Sequence, residues 1–188
     1  MEEAYELENY LPLSFKTKSE QDYITFLWEA YAVNHASGKY QFAFLAYHML
    51  TMAAVYFNIW QIRHHLPSEF KASMVGFSLD HEKELLGSNS PFAFHCVNES
   101  AVMRFMKLLG IPNDKIGAYT KLVKDRNSIA HCNAIVFPAD EASLDAKIGE
   151  VLRVMQDKDH HPVATTTATP APCACPSSPP TKTKSARA

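Results

Sequence analysis

Between Tyr40 and Ile62 the chain carries no Asp, Glu, Lys or Arg. A run this long and apolar folds either as a membrane span or as a helix surrounded by other helices. Its polar residues decide between the two. Gln41, His48, Thr51, Asn58 and Gln61 fall, at 100° per residue, within an arc of roughly 160° on one side. A stripe of hydrogen-bonding groups costs free energy in lipid and finds partners inside a protein. The expectation is a buried central helix from about Tyr40 to His64, ending before Pro67, with no membrane contact. The rival, a small membrane-associated helical protein, predicts fractionation with membranes.

The rest of the chain supplies helices to surround it. Thr17-Lys18-Ser19-Glu20 has capping-box spacing, in which Thr17 caps the Glu20 amide and Glu20 reaches back. It opens a helix to about Asn34, with Tyr23, Phe26, Leu27, Ala30 and Tyr31 expected on one face. Gly76, Gly87 and Pro91 divide the stretch from Ser68 to Asn98 into one or two short helices with loops. A further helix is predicted from Glu99 to Leu109, closed by Gly110-Ile111-Pro112. Asn113 or Asp114 is expected to cap the next one, which carries Ile116, Tyr119, Leu122 and Val123. A last helix is expected over Ser143 to Gln156. Strand signals are confined to a weak Ala134-Ile135-Val136-Phe137. The fold class is therefore all-α, an antiparallel helical bundle.

With 47% hydrophobic residues, 188 residues suit one domain, residues 1–161. From Pro162 the composition turns to Thr, Ala, Pro and Ser, so residues 162–188 are expected to form a disordered tail. That tail has no acidic residue, only Lys182, Lys184 and Arg187, so the net charge of -2 divides into about -5 for the body and about +3 for the tail. An acidic body excludes a general nucleic-acid-coating protein, because non-specific phosphate binding scales with cations. Four cysteines without regular spacing, and an acidic start without a signal-peptide pattern, lead to the expectation of a reduced, cytoplasmic protein.

Near the end of the helical pattern stands Arg126-Asn127-Ser128-Ile129-Ala130-His131. With five arginines, nine histidines and eight asparagines, chance placement predicts roughly 0.2 Arg-x4-His matches and roughly 0.01 with asparagine after the arginine. On a continuous helix Asn127 and His131 share a face with Lys124, whereas Arg126 and His131 lie about 140° apart. One helix therefore does not aim both at one phosphate unless it ends there or a second chain contributes. The bland reading is a pair of cations at a helix C-terminus, where the dipole favours them.

The string, on a late helix of an all-α chain, resembles the HEPN superfamily (higher eukaryotes and prokaryotes nucleotide-binding domain). Ribonuclease members carry an arginine, commonly a polar residue after it, and a histidine four to six residues on; Arg126, Asn127 and His131 match those positions. The resemblance covers the helical order of about residues 18 to 158, and only the six-residue motif is specific. It implies a metal-independent endoribonuclease with no cofactor, homodimeric with a composite site, and often a toxin or anti-phage effector with an antitoxin or regulatory protein. Some relatives bind without cleaving. Chemically, His131 suits general acid or base work at neutral pH, and Arg126 offers a planar donor fork to phosphoryl oxygens. Asn127 would orient the imidazole or hold a phosphate oxygen. Lys121 and Lys124 would supply a local patch for RNA.

Other candidates are weaker. His64-His65 and His160-His161 point about 100° apart on a helix and chelate poorly. Cys173 and Cys175 lack the further ligands that structural zinc wants. Asp80-His81-Glu82-Lys83-Glu84 lacks the second histidine of a protease helix. No metal site is expected.

Overall fold

The structure, a computed structural model, describes residues 2–107, 112–131 and 136–156, and among these it is all-α. The proposed tail, residues 162–188, and His160-His161 lie outside the described residues, as do Ala134 and Ile135 of the weak strand signal; Val136 and Phe137 are not in a strand. The helices are α1 (Lys18–Ala36), α2 (Tyr40–His65), α3 (Pro67–Ala72), α4 (Leu79–Gly87), α5 (Glu99–Met106), α6 (Asn113–Ala130) and α7 (Glu141–Gln156). Two 3-10 segments, Glu2–Tyr10 and Pro91–Cys96, complete the described fold.

Helix α2 is the axis of the molecule, packing on α1, α3, α6, α7 and both 3-10 segments. Ala43, Phe44, Tyr47, Leu50, Ala54, Ile59 and Ile62 are fully buried along it. By length and composition α2 would cross a bilayer, yet 67% of its most apolar window is buried inside the protein. Three residues of its polar stripe have internal partners: Gln41 Nε2 donates to the Ile129 carbonyl at 3.2 Å, while Thr51 and Asn58 bond carbonyls of their own helix. His48 and Thr51 are buried, and Gln61 is exposed.

Helices α1 and α2 form an antiparallel hairpin through the turn at Ser37-Gly38, where Gly38 takes φ +68°. Ring contacts pair His35 with Tyr40 at 5.7 Å and Tyr31 with Tyr47 at 5.6 Å. The capping box opens α1 as its sequence predicts. Thr17 Oγ1 accepts from Glu20 N at 3.2 Å, and the Glu20 carboxylate accepts from Thr17 N at 3.3 Å, Lys16 N at 3.0 Å and Ser90 Oγ at 2.5 Å. A cap of this kind contributes about 1 kcal/mol. The Ser90 bond also ties the start of α1 to the 3-10 segment at Pro91.

The buried face of α1 differs from the expectation. Glu20, Ile24, Leu27, Tyr31 and His35 face inward, while Tyr23 and Phe26 are 37% and 60% exposed. Apolar residues occupy two adjoining stripes of α1, and packing on α2 selects the one containing Leu27 and Tyr31. Helix α6 also departs from expectation: Pro112 stands at its cap position, and no side chain caps it. Helix α7 starts slightly early, with Asp140 Oδ1 accepting from Ser143 N at 2.8 Å.

Two features were not legible in the sequence. The N-terminal 3-10 segment buries Ala4 and Leu7, and the Tyr47 hydroxyl donates to the Ala4 carbonyl at 3.3 Å. Arg63 reaches the carbonyls of Leu85, Leu86 and Ser88 at 2.6–3.0 Å and lies 4.4 Å over the Trp60 ring. It thereby satisfies the carbonyl end of α4.

Candidate functional site

On α6 the residues facing the core recur at Tyr119, Leu122 and Ile129, all buried. That spacing leaves one position vacant for an inward residue, and Arg126 occupies it. Helix α5 repeats the arrangement. Val102 and Phe105 are buried, and Glu99, three residues before Val102, lies on the same side in the first turn. Asn98 orders this start, its Oδ1 accepting from Ala101 N at 2.8 Å. From α2 comes the buried His48.

These three side chains meet. The Arg126 guanidinium forms a salt bridge with Glu99 Oε1. His48 Nε2 stands 3.4 Å from Glu99 Oε2, within ion-pair range but without hydrogen-bond alignment. Arg126 Nε, Glu99 Oε2 and His48 Nε2 are buried with no hydrogen-bond partner among the described residues. Burial by itself raises the Glu99 pKa, but the contacts with His48 and Arg126 outweigh it and hold the carboxyl below the ordinary carboxylate range. Neighbouring Tyr56 is pushed up to about 12, first by burial and then by the Glu99 charge.

A depressed carboxylate stabilises the fold above its unfolded pKa of about 4.3, and that contribution is lost as pH falls through the folded value. Glu99→Gln is therefore expected to be less stable than wild type at neutral pH, with the gap closing below about pH 4. Urea midpoints across this range check it. A gap independent of pH would show that the charge on Glu99 contributes nothing.

His131 stands apart from this cluster. Helix α6 ends at Ala130, and His131 is its C-terminal cap in extended conformation, with its backbone N–H bonded to the Asn127 carbonyl at 3.1 Å. Its side chain is exposed, whereas Asn127 is half-buried. The helix end removes the constraint that a continuous helix would impose on His131. Even so, the described contacts join Arg126 to Glu99 and not to His131. Of the two lysines expected to meet RNA, Lys124 is exposed, while Lys121 pairs with Glu150 at 2.9 Å. Lys147 links that pair onward to Asp125 at 2.5 Å.

Glu99 and His48 were not among the candidate site residues read from the sequence, although His48 belongs to the polar stripe of α2. The signal existed for Glu99 and Arg126: each is a charged residue at the register of its helix's buried positions. Among the described residues, no group of three or more His, Cys, Asp or Glu is arranged to hold a metal ion. His64 and His65 are exposed at the end of α2.

Large apolar side chains are also exposed on α1 and α2. Phe26 and Val33, seven residues apart on α1, are 60% and 64% exposed; Phe42 and Met49, seven apart on α2, are 56% and 43% exposed. A seven-residue interval keeps each pair on one face. Exposed apolar stripes of this kind are a common feature of interaction surfaces.

Comparison with known proteins returned no matching family model, no matching curated protein and no matching solved structure.

Proposed function

We propose that this chain is a HEPN-like, metal-independent endoribonuclease that acts as a homodimer. The observation carrying the reading is the composition and setting of the motif: an arginine on the inner face of α6, an asparagine beside it, and an exposed histidine where the helix ends. In the reaction the ribose 2′-oxygen attacks phosphorus, and the bond from phosphorus to the 5′-oxygen breaks. His131 takes the 2′ proton or delivers a proton to the leaving 5′-oxygen. Arg126 neutralises charge on the phosphoryl oxygens. Asn127 orients the imidazole or a phosphate oxygen, and Lys124, with Lys121 when released from Glu150, steers the backbone. The products are a 2′,3′-cyclic phosphate and a 5′-hydroxyl.

The reading takes two copies, and it is supported by the contacts of one chain, which direct Arg126 inward and leave His131 exposed. The apolar stripes of α1 and α2 supply a face for pairing, and a two-fold axis there repeats both motifs across it. A cytoplasmic setting and an antitoxin or regulatory protein complete the proposal.

A second reading is favoured by one observation. The Glu99 bridge already gives Arg126 a structural partner, so the same fold would serve as a non-catalytic HEPN-like module binding RNA, a nucleotide or a protein. Incubating total RNA with the purified protein in excess EDTA, and mapping product ends, separates the two. Cyclic phosphate ends are the expected result. Intact RNA with a folded dimer would leave the binding module as the better reading.

A further inference from the structure

A cavity of about 600 Å³ opens between the start of α1, the middle of α2 and the 3-10 segment at Pro91. Its volume lies in the range of small-molecule sites. Tyr23, Tyr56 and Phe92 line it together with Met49 and Met52, and Glu99 closes one wall. Tyr23 and Phe92 pack edge to face at 5.4 Å, which holds both rings in place. The wall residue Glu99 is the same side chain that bridges to Arg126. A cavity of aromatic and thioether character thus lies one carboxylate away from the cation assigned to the phosphate.

We infer that this cavity is a nucleobase subsite, receiving the base of a nucleotide next to the phosphate that Arg126 contacts. The inference rests on the ribonuclease reading for the position of the phosphate. A nucleotide has the two parts that the structure offers side by side: a flat polarisable ring with N–H donors, and an anion a few bonds away. Aromatic rings and methionine sulfur suit the ring. The Glu99 carboxylate on the wall offers an acceptor for the N–H donors of a base, which a fatty-acyl chain lacks. Of the four apolar residues offered to a second copy, Met49 also lines the cavity, whereas Phe26, Val33 and Phe42 do not.

The test uses the full chain and a fluorescein-labelled 2′-O-methyl hexanucleotide of mixed sequence, whose blocked 2′-oxygen prevents cleavage. Its abasic counterpart has the same backbone. Anisotropy titrations are expected to show the base-bearing strand binding at least about tenfold more tightly. Tyr23→Ala and Met49→Trp, both at partly exposed positions, are expected to remove that difference while leaving the melting temperature close to wild type. Equal affinity for the two strands, or a difference that survives both substitutions, overturns the subsite. Loss of dimerisation in both variants with base preference retained assigns the cavity to a second copy and also overturns it. EDTA-resistant cleavage without base-dependent binding keeps the nuclease and removes the subsite. Base-dependent binding without cleavage keeps the subsite and removes the nuclease.

Discussion

Arg126→Ala is expected to lower EDTA-resistant RNA cleavage by about 10²–10³-fold, the usual loss when one charged stabiliser of a transition state is removed. It also carries a structural cost. Glu99 would keep His48 as its neighbour among the described residues, and a partly buried carboxylate deprived of its bridge costs about 1–3 kcal/mol. His131→Ala is the contrasting case. Its side chain is exposed at the helix end, so stability is expected to stay within about 0.5 kcal/mol while cleavage falls by about 10²–10⁴-fold. Arg126→Ala combined with Glu99→Ala separates structure from chemistry. Removing both charges is expected to recover part of the lost stability and none of the activity. Urea midpoints and single-turnover cleavage on the same preparations provide the readouts. Recovery of cleavage in the double variant would show that Arg126 acts only as a partner for Glu99.

Mixing the two inactive single variants should restore cleavage to about a quarter of the wild-type level. Random exchange makes half of the dimers mixed, and each mixed dimer has one site with both native residues and one with neither. The expectation holds only if Arg126 of one copy works with His131 of the other. A site contained within one chain predicts no restoration at all. The same interface predicts that Phe42→Asp, at a position 56% exposed, yields a folded monomer that cleaves no better than His131→Ala. Sedimentation velocity with activity measured on the same sample checks both parts. A Phe42→Asp protein that remains dimeric would move the interface away from the α1–α2 face.

The residues explain how much of this was legible beforehand. The Thr17–Glu20 capping box depends on atoms within four residues of one another, and it forms as the spacing predicts. The limits of α2 follow from Ser37-Gly38 before it and Pro67 after it, again local facts. The inner face of α1 was not legible in the same way. Tyr23, Phe26 and Val33 are as apolar as Ile24, Leu27 and Tyr31, so periodicity alone does not say which stripe packs on α2. The partner of Arg126 was further out of reach, since Glu99 and His48 lie on two other helices.

The sequence by itself determined the helices, the all-α class and the motif, because capping, turn chemistry and 3.6-residue periodicity act over a few residues. Tertiary packing alone decided that Arg126 meets Glu99 and that Glu99 meets His48, and that Lys121 is engaged by Glu150 while His131 stays exposed. The physical reason is range. Burial and charge pairing are set by which helix faces meet, and that is a property of the whole chain.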